Sequence, residues 1–239
     1  MELASAALER QVTYSVILPE GQGAGPFPVV YLLHGRTDDH RAWLQRSNVV
    51  RHLQGTPLIV VMPDGGNSFY ADLHPLMKYE QMIVFDLDAH VRRTFHVRAG
   101  RAGISGLSMG GYGAIRLGLK YPDKYASIYA HSSRIPSRAE LPSLGWAQGV
   151  DPDELDLYAQ IDRLDQAGRA AMARLSFDCG TEDHLLQDSR DFHAHLLARG
   201  VPHTYREHPG AHTWDYWDRH VVTAIAQHLE VLAPLATVT

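Results

Sequence analysis

The chain of 239 residues lacks the features that mark several classes of protein. Cys179 is its only cysteine, so it can form no disulfide within the chain. No segment approaches the roughly 20 apolar residues needed to cross a bilayer. The first ten residues include the acidic Glu2 and no long apolar run, so they do not resemble a secretory signal. These absences predict a cytoplasmic protein with no membrane partner.

Clustered basic residues are absent as well. The sequence has 22 Lys and Arg against 27 Asp and Glu, a net charge of −5, and no Lys/Arg run, which argues against a nucleic-acid partner. The 15 histidines are scattered. Even His193 and His195 are two positions apart, which places them on opposite sides of a helix rather than at metal-ligand spacing. We therefore expect no metal and no other cofactor.

The chain does contain a regular alternation of apolar runs and helical patterns. Val29–Leu33 and residues 58–62 are continuous apolar runs, as expected for strands covered on both faces. Residues 80–95 and 214–232 carry apolar side chains at helical spacing. Strands that alternate with helices predict an α/β protein with a doubly wound, mostly parallel sheet and helices on both faces, as one domain over residues 1–239.

An additional strand is predicted near the start of the chain. Residues 11–18 alternate between apolar and polar side chains and end at Pro19. Because proline is excluded from the middle of a sheet, this segment is interpreted as an edge strand. Residues 41–53 are interpreted as a helix.

The most informative motif is Gly106-Leu107-Ser108-Met109-Gly110. It follows a short apolar strand and precedes a helical segment, which is the context of a nucleophile elbow. A serine on such a sharp turn has a strained backbone, and Gly106 and Gly110, two residues to either side, remove Cβ clashes. The following helix N-terminus places backbone N–H groups beside the hydroxyl. Ser108 is therefore the predicted nucleophile.

A serine nucleophile needs a histidine base and a carboxylate that holds it, and in hydrolases with this elbow the three occur along the chain in the order serine, acid, histidine. His212 lies just before the last helix and is the favoured base, whereas His208, near the end of the last strand, is the alternative. The loop after the preceding strand contains Glu182 and Asp183. Asp183, just before a helix, is the favoured acid. Asp178 is the main alternative acid, and it could instead anchor a loop.

An oxyanion hole needs two preorganised N–H donors. The backbone N–H of Met109, the residue after the nucleophile, is the first candidate. The loop after the first central strand supplies the second, which we assign to Arg36 with Gly35 as the alternative. Since only the backbone of Arg36 is needed, its side chain is free to reach solvent or substrate.

Together these motifs resemble the putative-esterase (esterase D-like) family, and within it the tributyrin-esterase and feruloyl-esterase-like members. The motifs that carry the resemblance are 30–35 (VYLLHG), Trp43, 60–66 (VVMPDGG), 68–70 (SFY), 106–114 (GLSMGGYGA), 179–183 (CGTED) and 212–214 (HTW). The resemblance implies an α/β-hydrolase fold and a serine carboxylesterase that forms a covalent acyl-enzyme. It gives Ser108, Asp183 and His212 the roles of nucleophile, acid and base, with the Arg36 and Met109 amides as oxyanion donors.

The expected substrate is a small ester with a short-chain acyl or aryl acid. Residues 132–168 are short for a cap and are expected to wall one side of the cleft, with residues 68–70 and Trp214 near the opposite rim. Tyr70 and Trp214 are accordingly predicted to contact substrate. The edge strands and apolar surface of such proteins favour homo-oligomers.

Three other functions are weighed against this one. An acyltransferase or an S-formylglutathione-hydrolase-like thioesterase could use the same triad. The second is disfavoured because such hydrolases usually have histidine where this chain has Tyr112. A non-catalytic binding protein is disfavoured because no triad member is missing.

Overall fold

A sheet of eight strands forms the centre of the structure, a computed structural model that describes residues 1–233. The strands are β1 (Glu2–Ser5), β2 (Arg10–Ile17), β3 (Val29–Leu33), β4 (Ile59–Pro63), β5 (Ala102–Leu107), β6 (Tyr125–His131), β7 (Arg174–Gly180) and β8 (Thr204–His208). Their spatial order is β1-β2-β4-β3-β5-β6-β7-β8. Strands β3 to β8 are mutually parallel, whereas β1 and β2 pair antiparallel at one side.

Helices connect most of the parallel strands. They are α1 (Ala42–Arg46), α2 (Val49–His52), α3 (Tyr79–Gln81), α4 (Asp88–Thr94), α5 (Met109–Lys120), α6 (Pro152–Leu155), α7 (Leu157–Asp162), α8 (Gln166–Ala171), α9 (Leu186–Ala198) and α10 (Trp214–Leu232). A π-helical segment, Met82–Leu87, joins α3 to α4, so the helical stretch predicted over residues 80–95 is present. None of the helices in residues 1–233 combines the length and apolar character that crossing a bilayer requires.

Strand β3 shows how both faces of the sheet are covered. Tyr31 and Leu33 belong to the core that contains residues of α5, whereas Val30 and Leu32 belong to the core that contains residues of α10. Successive side chains of a strand point to opposite faces, so a strand buried on both faces is apolar throughout. The predicted doubly wound α/β architecture, with helices on both faces, is confirmed.

Two local predictions were wrong. The strand predicted over residues 11–18 is not an edge strand, because β1 pairs with the outer side of β2 through Leu3 and Val12. Residues 41–53 form two short helices rather than one. Ser47 ends α1 in an extended conformation, and its hydroxyl donates to the carbonyl of Trp43. The predicted single domain over residues 1–239 includes residues 234–239, which lie outside the described residues, and it stays a prediction.

Candidate active site

Ser108 lies on the turn between β5 and α5, in the left-handed region of backbone space, with φ 53°. The turn is possible because its neighbours have no side chain. A Cβ on Gly106 would lie 2.6 Å from the backbone of Gly110, and a Cβ on Gly110 would lie 2.6 Å from the carbonyl oxygens of Leu33 and His34. These contacts are with backbone, which cannot move aside. Both positions therefore require glycine, and the turn presents Ser108 at the carboxyl ends of the strands.

A continuous chain of hydrogen bonds joins the three residues predicted to form the triad. Ser108 Oγ lies 3.0 Å from His212 Nε2, and His212 Nδ1 lies 2.8 Å from Asp183 Oδ2. An ionised carboxylate can only accept, so Nδ1 of His212 carries the proton and Nε2 offers its lone pair to the serine hydroxyl. In this tautomer the imidazole can take the serine proton.

The environment of Asp183 keeps its carboxylate ionised. Its side chain is fully buried, and burial raises the pKa. The hydrogen bond from His212 and the backbone N–H of Leu185, which donates to Oδ1 at 2.8 Å, outweigh that effect and hold the pKa of Asp183 below its usual range. The same N–H of Leu185 fixes which carboxylate oxygen faces His212.

Glu182 joins the loops that carry Asp183 and His212. Its backbone N–H donates to the carbonyl of Gly210 at 3.0 Å, and its carboxylate accepts the backbone N–H of Gly210 in return. Glu182 therefore ties the two loops together instead of facing the imidazole.

His208, the alternative base, ends β8 and stacks on His220 with ring centroids 4.3 Å apart. Within residues 1–233 no hydrogen bond joins His208 to Ser108.

Asp178, the alternative acid, forms a second Asp–His pair inside the protein. Its Oδ2 lies 2.9 Å from His131 Nδ1, and its Oδ1 accepts the hydroxyl of Tyr216 at 2.8 Å. Burial raises the pKa of Asp178, but the His131 imidazole and these hydrogen bonds outweigh that effect, so the pKa lies below its usual range. The carbonyl of His131 accepts the backbone N–H of Ser108, which places this pair directly beneath the elbow. Asp178 thus anchors strand ends.

The loop after β3 packs against the elbow. A Cβ on Gly35 would lie 2.6 Å from the Leu107 side chain and 3.7 Å from Ser108 Cβ. Arg36 and Met109 both line the cleft above Ser108. Among the described residues, no protein group accepts a hydrogen bond from the backbone N–H of either one. Neither N–H group is thus occupied by a protein acceptor, and their role as oxyanion donors stays a prediction.

Buried His34 braces this loop from below. Its Nδ1 lies 2.7 Å from the carbonyl of Gly35, and its Nε2 accepts the backbone N–H of Gly65 at 2.9 Å. Burial lowers the pKa of His34, which favours the neutral imidazole that can donate at Nδ1 and accept at Nε2. The loop that presents Arg36 is thus held by hydrogen bonds on both sides of one ring.

An aromatic cleft of about 1070 Å³ lies above Ser108. One wall is a stacked pair, Phe69 on Trp146, with ring centroids 3.8 Å apart and planes at 8°. Trp214 and Trp217 also line the cleft, and their rings meet edge to face at 5.4 Å. The volume is at the upper end of the range for small-molecule sites.

The walls differ from the prediction in two respects. Tyr70 does not line the cleft: it is fully buried, and its hydroxyl donates to the carbonyl of His34 at 3.1 Å. Phe69 lines the cleft instead, since both Phe69 and Tyr70 have positive φ in this turn and the usual alternation of side chains does not apply. Phe69 also stacks on Trp146, so residues 68–70 lie on the same side as the segment 132–168, not opposite it. Trp214 lines the cleft, and its contact with substrate stays a prediction.

Three arginines line the cleft, and they differ in their partners. Arg46 pairs with Asp38 at 3.0 Å, and Arg134 pairs with Asp188 and Glu140. The exposed side chain of Arg36 makes no ion pair or hydrogen bond within the described part of the chain. Sequence reasoning missed Trp146, since nothing in the weakly patterned segment 132–168 marked that residue.

A family model described as "Putative esterase" matches residues 5–228. The chain belongs to that family. Its acetyl esterase relative from Caldicellulosiruptor saccharolyticus is 29% identical to it, over 92% of this chain and 93% of the relative.

Solved structures agree with this assignment. The esterase resembles FphF, a fluorophosphonate-binding serine hydrolase of Staphylococcus aureus, with 28% identity, 95% of each chain covered and a TM-score of 0.86. It is also similar to an S-formylglutathione hydrolase, FrmB, of Staphylococcus aureus, with 28% identity, a TM-score of 0.82, and 95% of this chain and 96% of that one covered. The family, the α/β-hydrolase fold and the class of carboxylic ester hydrolase predicted from the motifs are confirmed.

Proposed function

We propose that this esterase hydrolyses esters of short-chain or aryl acids, with Ser108 as nucleophile, His212 as general base and Asp183 as the acid of the triad. The observation that carries the proposal is the unbroken hydrogen-bond chain from Asp183 through His212 to Ser108. No cofactor is needed for this chemistry.

In the first half-reaction Ser108 Oγ attacks the ester carbonyl while His212 Nε2 takes its proton. The backbone N–H groups of Arg36 and Met109 bind the resulting oxyanion. His212 then returns the proton to the leaving alcohol, and the acyl group stays on Ser108. In the second half-reaction water replaces the alcohol, His212 takes its proton, and the acid is released. Asp183 stabilises the imidazolium in both halves.

The lining of the cleft favours small acyl groups. Asn67 and the charged Arg36, Arg46 and Arg134 line the cleft together with the nucleophile, and a long alkyl chain would remove water from these polar groups without replacing its hydrogen bonds. The stacked rings of Phe69 and Trp146 provide a flat apolar face that fits an aryl acid. The name of the acetyl esterase relative agrees with a small acyl group.

A thioester substrate is the second candidate, because the similar structure from Staphylococcus aureus is an S-formylglutathione hydrolase. Tyr112 was the residue that distinguished the two activities in the sequence. In the structure it is fully buried, and its hydroxyl donates to the carbonyl of Leu155 at 2.6 Å. Tyr112 therefore does not select between an ester and a thioester by direct contact.

The test is hydrolysis of p-nitrophenyl esters from acetate to octanoate, with S-acetylglutathione as the thioester probe. We expect kcat/KM to fall with chain length, and Ser108→Ala to lose at least about 10³-fold in kcat. Ser143→Ala removes another hydroxyl of the cleft and is the matched control. A preference for octanoate would overturn the acyl assignment. An active Ser108→Ala variant would overturn the assignment of Ser108 as nucleophile. A preference for the thioester would favour the thioesterase as the function.

Hydrolysis and acyl transfer are separated by adding an acceptor alcohol and analysing the products. We expect free acid to remain the main product, whereas a new ester as main product would identify an acyltransferase. A cytoplasmic location, the absence of a required metal and assembly into homo-oligomers stay predictions from the sequence.

A further inference from the structure

One group of side chains beside the nucleophile has the composition of a metal site. Asp183, His184 and His212 each place one ligand atom so that all three lie within 4.8 Å of one another, and no other such group of three occurs in residues 1–233. His184 Nδ1 lies 3.6 Å from Asp183 Oδ1, and His212 Nδ1 lies 2.8 Å from Asp183 Oδ2. Ligand atoms around a tetrahedral zinc ion are about 3.4 Å apart, and the two separations lie on either side of that value.

The group is also open to solvent from one side. The His184 side chain is 70% exposed, and its ring packs against that of His212 with centroids 4.7 Å apart. His184 is therefore the most exposed of the three ligands, since the side chain of His212 is 21% exposed and that of Asp183 is buried. Two imidazoles and a carboxylate are a ligand set that suits Zn²⁺, with water in the fourth position.

We propose that Zn²⁺ binds Asp183, His184 and His212 and reversibly inhibits the enzyme. The binding is independent of the proposed function, whereas the inhibition rests on it, because it requires His212 to be the general base.

Inhibition follows from the two nitrogens of one imidazole ring. When Zn²⁺ binds Nδ1 of His212, the Nδ1–H bond to Asp183 is lost and the proton moves to Nε2. That nitrogen faces Ser108 Oγ at 3.0 Å, and once protonated it can no longer accept the serine proton. The ion thus exchanges the productive tautomer for an unproductive one, with no change of oxidation state. Chelation of the metal restores the original tautomer.

The test uses His184, which is the one ligand outside the triad. Hydrolysis of p-nitrophenyl acetate is measured against ZnSO₄ concentration in a non-chelating buffer, and each variant is compared with its own metal-free rate. We expect wild type to be inhibited and EDTA to reverse the inhibition. In His184→Gln the half-inhibitory concentration of Zn²⁺ should rise at least about tenfold. Loss of a residue that only hydrogen-bonds a metal ligand already lowers metal affinity by about that factor, and His184 is itself a ligand. His74→Gln, which removes an exposed histidine elsewhere, should match wild type.

Direct binding separates this inference from the proposed function. Competition with a zinc-sensitive fluorescent chelator should show one ion per wild-type chain and loss of that ion in His184→Gln. If the protein binds this ion but hydrolyses no ester, the metal site stands and the proposed function falls. Equal inhibition and equal zinc binding in wild type and His184→Gln would overturn the site.

Discussion

The sharpest test of the triad is Asp183→Asn, because the structure fixes how the new amide would sit. The backbone N–H of Leu185 donates to Oδ1, so the amide oxygen is held there and the NH₂ group takes the position of Oδ2. That NH₂ group faces Nδ1 of His212 as a donor, and Nδ1 must then present its lone pair. The imidazole proton moves to Nε2, where it blocks proton transfer from Ser108.

The size of the effect follows from two contributions. Restoring the productive tautomer would place two donors face to face, which costs about 1–3 kcal/mol for an unsatisfied buried group. The imidazolium also loses a hydrogen bond to a charged group, worth about 1.5–3 kcal/mol. The sum of about 2.5–6 kcal/mol corresponds to a fall in kcat of roughly 10² to 10⁴.

The assay is steady-state hydrolysis of p-nitrophenyl acetate, with thermal unfolding to show that the variant is folded. Asp215→Asn removes another carboxylate from the cleft and controls for the change in charge, and we expect it to keep the wild-type kcat. Proton NMR should show a strongly downfield signal for Nδ1–H of His212 in wild type and none in Asp183→Asn. A folded Asp183→Asn enzyme with more than about a tenth of the wild-type kcat would refute the tautomer argument.

Two further predictions concern the scaffold. Gly110→Ala should abolish labelling of Ser108 by a fluorophosphonate probe, because its Cβ would lie 2.6 Å from two backbone carbonyl oxygens. Gly145→Ala is the control and should be labelled like wild type, since its Cβ would have no atom within 4 Å. Normal labelling of Gly110→Ala would contradict this packing argument. Glu80→Gln should lower the free energy of unfolding in urea by about 3–5 kcal/mol at pH 7, since the buried Arg116 loses its close carboxylate partner, Glu80 at 2.5 Å, and keeps only the more distant carboxylate of Glu154 at 3.9 Å. Burial raises the pKa of Glu80, but Arg116, Tyr121 and Lys120 hold it below its usual range, so its stabilisation is complete above pH of about 4.3 and is lost as pH falls through the folded pKa. The difference between Glu80→Gln and wild type should therefore shrink in acid, and a constant difference would contradict this reasoning. Asp153→Asn, in an exposed pair with Arg138, is the control and should change stability by less than about 1 kcal/mol.

The parts of the fold that were predictable are those in which one strong local pattern decides the outcome. β3 is apolar at all five positions because both of its faces are covered, and its bounds match the prediction. The loops of Asp183 and His212 could be placed because parallel strands bring their carboxyl ends to the same edge of the sheet. The order of the motifs along the chain then restricted the choice of acid and base.

The parts that were missed depend on contacts distant in sequence or on single backbone angles. β1 has only four residues, and its partner rather than its own pattern determines it. Phe69 and Tyr70 both have positive φ, so the turn, not the alternation of side chains, decides which ring reaches the cleft. Trp146 is positioned by stacking on Phe69, and no pattern in the sequence indicates that contact.

The reciprocal bonds between Glu182 and Gly210 have a consequence for motion at this site. The loops that carry Asp183 and His212 are coupled, so a displacement of one takes the other with it. We therefore expect the distance between Asp183 and His212 to change little when the shape of the cleft changes. Trp146 lies in a different segment, residues 132–168, which meets the nucleophile where the backbone N–H of Arg134 donates to the carbonyl of Ser108 at 3.4 Å. A shift of the wall that holds Trp146 can therefore reach Ser108 while the pairing of acid and base is preserved.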